Sequence, residues 1–194
     1  MSTHNRRPDA GGPPSEIAGL PSLWVVLACE DSPRLCTGRH LVRLSLAREL
    51  GAAGRPPSGL LLLDPHAETP LSNADATTAS SRGILVVDCS WNKLGARGEF
   101  PPSLARGLRR QVARRLPYLL AANPQHYGRL GELNTAEAVG AAVFLTAGRK
   151  VAEELFDRLP GGRGFLRLNE GPLEEYARAA TLGELLDAER RYFG

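Results

Sequence analysis

Four short stretches of this chain carry residue types that can do chemistry: Cys36-Thr37-Gly38, Asp64-Pro65, Asp88-Cys89-Ser90-Trp91, and the run from Leu116 to Ala142. Asp88 stands directly after the apolar run Gly83 to Val87. A carboxylate just past a buried strand can act as a general base, and an indole three residues later can wall a ligand pocket. The same two residues also suit a turn-forming Asp and a core Trp. In the fourth stretch the loop Asn123-Pro124-Gln125-His126-Tyr127-Gly128 leads toward a small-residue helix near Asn134. Asn134 fits an N-cap, and Glu137 completes the spacing of a capping box. Free N–H groups at such a helix start suit a carboxylate or a phosphate. An ordinary structural helix start carries the same pattern.

These residues need elements to position them. The apolar runs Leu23 to Cys29, Gly59 to Leu63 and Gly83 to Val87 read as buried strands. A helix is predicted from about Leu41 to Leu50, ended by Gly51, and a weaker element over Ala74 to Ser80. Strands alternating with helical segments indicate an α/β arrangement with a parallel sheet. Ligands of such sheets sit at the carboxyl ends of the strands, and Thr37, Pro65 and Asp88 all follow strand ends. From Ala136 onward the chain reads as helices: to about Ala147, Arg149 to Leu159, Pro172 to Ala179 and Leu182 to Tyr192. Residues 1–20 read as a disordered tail, 21–115 as an N-terminal α/β domain and 116–194 as a helical C-terminal domain.

The 194 residues are 42% hydrophobic and 23% charged, with a net charge of +3, which fits a globular protein of ordinary composition. No apolar run reaches the roughly 20 residues of a membrane helix. Three cysteines, Cys29, Cys36 and Cys89, form no paired motif and suit reduced thiols in the cytoplasm. The histidines show no metal-ligand spacing. Between Asn92 and Leu130, eight Lys and Arg face only Glu99, and Arg106, Arg109 and Arg110 fall at helical spacing. With Arg34, Arg39, His40 and Arg43, this clustering points to RNA phosphates; a solvated basic helix face is the alternative.

Four segments in order, CTGRHLVRL, VVDCSW, LPYLLAANPQHYGR and LNTAEA, resemble the ribosome-biogenesis family of rRNA aminocarboxypropyltransferases. Its eukaryotic members modify 18S rRNA, and it has archaeal relatives. The resemblance runs from Trp24 to Tyr176. It implies a SPOUT-like knotted architecture, with S-adenosylmethionine held between the α/β and helical domains. Matched motif by motif, the cofactor-binding residues would be Thr37, Leu63, Pro65, Trp91, Leu116, Gly131 and Thr135. Two departures stand out. The family usually reads CDPKKCTG where this chain has Asp31-Ser32-Pro33-Arg34-Leu35-Cys36-Thr37-Gly38, and Leu130-Gly131 replaces a Pro-Tyr pair.

The implied reaction moves the 3-amino-3-carboxypropyl group to a ring nitrogen of a uridine or modified uridine in small-subunit rRNA. Orientation decides which sulfonium carbon is attacked. By resemblance, Trp91 would shield the methyl while Thr37 and Thr135 hold the carboxylate of the amino-acid end. Asp88 is the candidate base; acting on the nucleophile, it would matter for turnover rather than for cofactor binding. Arg34, Arg39, Arg114 and Arg115 are the candidate RNA contacts, the last two adjoining the cofactor loop. The partner would be small-subunit rRNA or a pre-ribosomal particle, with no membrane, no metal and a monomeric protein. A SPOUT-type RNA methyltransferase and a non-catalytic rRNA-binding assembly factor are the competing readings.

Overall fold

The computed structural model describes residues 17–27, 36–50, 56–88 and 102–194. Five short strands form one sheet: β1 (Leu23–Leu27), β2 (Arg48–Leu50), β3 (Leu61–Leu63), β4 (Ile84–Asp88) and β5 (Val112–Arg114). Their order is β2-β1-β4-β3-β5, and every neighbouring pair is parallel. The register sets Leu27 beside Asp88, and Leu63 beside both Val86 and Arg114. All carboxyl ends therefore lie along one edge of the sheet.

The three inner strands, β1, β4 and β3, are apolar up to the closing Asp88 of β4 because both faces are covered. Side chains alternate along β1: Leu23 and Val25 join one core cluster, Trp24 and Val26 a second. The first cluster is the main core. It continues from Leu61, Ile84 and Val86 of the sheet into Val143, Phe156, Phe165 and Tyr176 of the C-terminal helices. Across residue 115 there is thus one continuous apolar core.

Eight α-helices are described: α1 (Thr37–Arg43), α2 (Ala76–Arg82), α3 (Pro102–Leu108), α4 (Thr135–Ala147), α5 (Arg149–Asp157), α6 (Gly162–Leu168), α7 (Glu170–Arg178) and α8 (Leu182–Phe193). Helix α4 is the centre. It packs against α1, α2 and β4 and against α5, α6 and α7. Its small residues permit that: a Cβ on Gly140 would lie 2.0 Å from the Phe156 ring.

Three sequence expectations change. The helix predicted over Leu41 to Leu50 instead starts at Thr37 and stops at Arg43, and Arg48–Leu50 is the edge strand β2. Ser45 takes φ +57, and the Leu46 and Ala47 N–H groups both turn back to the Leu41 carbonyl. That turn buries Leu46 and Ala47 and leaves Leu44 outside; burial of the next apolar pair overrides the helical stripe. The basic helix also ends early, at Leu108, so Arg109 and Arg110 sit in a turn. Gln111 closes the turn, accepting from Leu60 N–H and donating to the Pro57 and Gly107 carbonyls. Finally, the stretch between Leu159 and Pro172, where the sequence predicts no helix, turns once at Gly161 (φ +77) and holds α6, with the tilted Phe165 ring centred 5.4 Å from that of Phe156.

Candidate functional site

Strand β1 leads on to β2 at one side of the sheet, and β4 leads on to β5 at the other. The connections leaving the adjacent carboxyl ends of β1 and β4 therefore diverge, which is where an open α/β sheet forms a ligand crevice. Asp88 is the last residue of β4 and lies at this point, 8% exposed. Its Oδ2 accepts from Gly38 N–H at 2.7 Å and from the Cys36 thiol at 3.0 Å. Its Oδ1 accepts from the Thr135 hydroxyl at 2.8 Å. One carboxylate thus joins the end of β4 to the first turns of α1 and α4.

The contact is close enough to dictate residue 38. A Cβ there would lie 2.4 Å from Asp88 Oδ2, so only glycine lets the backbone approach. A carboxylate offers about four acceptor sites, and three are filled here. Asp88 is consequently fixed in place, and among the described residues one lone pair of Oδ1 is left for a further donor.

Helix α4 begins as its sequence indicates. The Asn134 side chain accepts from Glu137 N–H and Glu137 accepts from Asn134 N–H, each at 2.9 Å. Glu137 does more than close the box: it also accepts from Ala122 N–H at 2.9 Å and from the Asn123 amide at 2.8 Å. The buried carboxylate ties the helix start to the incoming loop. The first intrahelical bond runs from Ala138 N–H to Asn134 C=O, which leaves the Thr135 and Ala136 N–H groups directed out of the helix end.

Of the residues marked in the sequence, Asp88 and Thr135 are bonded in this junction, and Thr37 stands between Cys36 and Gly38, which both donate to Asp88. Leu63 ends β3, Pro65 follows it and Leu116 follows β5, so they share the same carboxyl edge. Gly131 takes φ +75 and donates to the Leu119 carbonyl, closing a hairpin after the loop. Trp91 and Arg34 lie outside the described residues. Among the described residues no group of three His, Cys, Asp or Glu is placed to hold a metal ion, and no helix is long and apolar enough to cross a membrane.

The basic residues divide. Arg39, Arg106, Arg109 and Arg110 are exposed. Arg114 instead pairs with Asp75 at 3.1 Å, and Arg115 makes a two-pronged ion pair with buried Glu189 at 2.7 and 2.9 Å. Arg115 also lies over the Tyr118 ring, and the Glu189 hydrogen bond is the chief cause holding its pKa above the ordinary value. Sequence reasoning missed Glu189, Asn169 and Gly38. The first two are single polar residues in helical stretches and give no spacing signal; Gly38 was visible only as part of a motif.

Comparison with known proteins fits this geometry. Residues 61–193 match the protein family described as "Ribosome biogenesis protein, C-terminal". The 16S rRNA aminocarboxypropyltransferase of Methanosarcina acetivorans is 38% identical over 170 residues, covering 88% of this chain and 93% of that relative. The protein of that name from Thermoplasma volcanium is 37% identical over 176 residues, covering 90% and 100%. Among solved structures, the SAM-dependent rRNA:acp-transferase Tsr3 from Vulcanisaeta distributa aligns with a TM-score of 0.76 and 34% identity, covering 89% of each chain.

Proposed function

The chain belongs to the rRNA aminocarboxypropyltransferase family of ribosome-biogenesis proteins, and on that premise we propose that it transfers the 3-amino-3-carboxypropyl group of S-adenosylmethionine to a uridine or modified uridine of small-subunit rRNA. The observation carrying this reading is the Asp88 junction, which brings three of the matched motifs together at the divergent strand ends.

The residues present fit the amino-acid end of this cofactor, a zwitterion. The outward Thr135 and Ala136 N–H groups, at the positive end of the α4 dipole, suit its carboxylate. The Thr135 hydroxyl has one proton, already given to Asp88, so its oxygen can only accept. It therefore suits the ammonium, with the Asp88 charge behind it. This refines the expectation that Thr37 and Thr135 both flank the carboxylate. Leu63, Pro65, Leu116 and Gly131 remain the proposed adenosine wall, and Trp91 the shield of the methyl. Bound in this way, S-adenosylmethionine supplies a sulfonium whose γ-carbon is open to a nucleophile.

Asp88 then acts mainly by position. Three donors hold it, and its remaining lone pair can accept the ring N–H of an incoming base or a cofactor N–H. For RNA contacts, exposed Arg39, Arg106, Arg109 and Arg110 are the freer guanidiniums, while half-buried Arg114 and Arg115 are also ion-paired to Asp75 and Glu189. A knotted path, a division near residue 115, a monomeric state and a cytoplasmic location belong to the same family-based reading. The deciding experiment incubates the protein with S-adenosylmethionine and small-subunit rRNA from cells lacking its gene. Methylthioadenosine is the expected by-product; S-adenosylhomocysteine as the main product would mean methyl transfer and would overturn this reading.

A further inference from the structure

The segment Tyr118 to Ala122 runs outside the main sheet, with Leu120 in an antiparallel bridge to Leu130. In an extended chain the N–H and C=O of one residue point to one edge, and those of the next residue to the other. On one edge the odd residues pair with a hairpin: Ala121 N–H donates to the Arg129 carbonyl, Gly128 N–H to the Ala121 carbonyl and Gly131 N–H to the Leu119 carbonyl. The even residues face no strand. Their partners are side chains. Tyr118 N–H donates to Glu189 at 2.8 Å, and the Tyr118 carbonyl accepts from the Tyr176 hydroxyl at 3.0 Å. Leu120 N–H donates to Asn169 Oδ1 at 2.8 Å, and Asn169 Nδ2 donates to the Leu120 carbonyl at 2.9 Å. Ala122 N–H donates to Glu137 at 2.9 Å.

Side chains of α8, α7, the α6–α7 junction and α4 thus stand in for the missing neighbour strand, at a period of two. Asn169 is the centre. It is fully buried, pairs with both backbone groups of Leu120 as a peptide would, and anchors itself on the Phe165 carbonyl at 3.1 Å. Burial, with the Glu189 charge nearby, pushes the Tyr176 phenol above its ordinary pKa and keeps it a neutral donor. None of these side chains lies at the Asp88 junction, yet they hold the strand between Leu116 and Gly131.

We propose that Asn169, with Glu189 and Tyr176, is a positioning residue for cofactor binding: the side-chain ladder sets the Tyr118–Ala122 backbone, and through it the Leu116 and Gly131 wall of the adenosine pocket. The proposal rests on the functional reading above. A misplaced wall weakens the cofactor more than it slows the chemical step, because the reacting carbon is held at the α4 end. Losing one rung leaves buried backbone groups unpaired, so the strand shifts.

The test compares Asn169→Asp, which keeps the acceptor for Leu120 N–H but loses the donor to its carbonyl, with Tyr176→Phe, which removes one hydroxyl and keeps the shape. Asn73→Ala is the control: Asn73 donates to the Ala177 and Ala179 carbonyls and does not touch the strand. For each, calorimetry gives S-adenosylmethionine affinity, kinetics gives KM and kcat, and melting gives stability. The expected result is a cofactor KM raised about tenfold in Asn169→Asp and less in Tyr176→Phe, with kcat within about twofold. Asn73→Ala should lose stability with its cofactor KM unchanged. Ladder variants that lose stability like Asn73→Ala while binding the cofactor as wild type does would overturn the positioning role alone. Wild-type protein with no affinity for S-adenosylmethionine would overturn the functional reading and this proposal with it.

Discussion

The Asp88 junction and the Tyr118–Ala122 strand solve one problem in opposite ways. Both hold pieces of chain that lie far apart in sequence, with buried hydrogen bonds on the main-chain or hydroxyl groups of the site. The junction uses one carboxylate for three donors, drawn from α1 and α4. The strand takes one or two bonds from each of four side chains on separate elements. Failure at the first should be abrupt. Failure at the second should be graded, because each lost rung leaves the others in place.

The largest expected effect is at the junction. Asp88→Ala leaves Gly38 N–H and the Thr135 hydroxyl without their acceptor. At about 1–3 kcal/mol for each buried donor left unpaired, the loss should reach about 2 kcal/mol or more. Cofactor affinity should fall together with turnover, since Thr135 and the α1 start both lose their anchor. The sequence alone led to the opposite expectation, turnover lost and binding kept. Denaturant melts and calorimetry decide between them: a variant that binds S-adenosylmethionine at wild-type strength would return Asp88 to a role on the nucleophile only.

Gly38→Ala attacks the same point from the other side. The added methyl would sit 2.4 Å from Asp88 Oδ2, so either α1 or the carboxylate must move. The expected cost is about 1–3 kcal/mol. Because the two changes share one contact, the Gly38→Ala cost should shrink in an Asp88→Ala background. Additive losses in that double-mutant cycle would show that Gly38 matters for some other reason and that the junction is not one unit.

Asn134→Ala tests the α4 start, which lies between the two regions. It removes the cap on Glu137 N–H but leaves Glu137 free to hold Asn134, Ala122 and Asn123. The expected cost is about 1 kcal/mol, with cofactor affinity falling only slightly. A loss as large as that of Asp88→Ala would mean that the cap orders the whole loop, and the contrast between point and distributed support would fail.

Much of this was written in the sequence because it is local. The capping box of Asn134 and Glu137 needs four neighbouring residues and formed as expected. The three apolar runs became β1, β3 and β4 because a strand buried on both faces has little choice but continuous apolar residues. The two edge strands were hidden for the converse reason. Arg48-Glu49-Leu50 and Val112-Ala113-Arg114 are three residues long and partly polar, and they pair only because β1 and β3 offer them an edge. The same holds for the site. Asp88, Thr37 and Thr135 were marked by motif, but the bond joining Asp88 to Gly38 spans fifty positions and has no pattern in the chain. Arg114 and Arg115 looked free for RNA because their partners, Asp75 and Glu189, are distant lone carboxylates.

The smallest effect belongs to the ladder and depends on pH. Tyr176→Phe deletes one hydrogen bond, to the Tyr118 carbonyl, for about 1 kcal/mol near neutral pH. In the folded protein the Tyr176 phenol is pushed up from its ordinary value, first by burial and then by the Glu189 charge; in the unfolded chain it titrates near pH 10. A raised folded value means that the folded state keeps its proton after the unfolded state has begun to lose it. The contribution of this group is therefore complete below about pH 10 and is lost as pH rises from there through the folded value. Wild-type stability should fall more steeply above about pH 10 than that of Tyr176→Phe, so the gap between them narrows. The other tyrosines titrate in both proteins and cancel in the difference. Parallel stability curves across that range would show that the Tyr176 hydroxyl is as well solvated folded as unfolded. The rung at Tyr118 would then be an exposed contact, and the strand would lean on Asn169 and Glu137 alone.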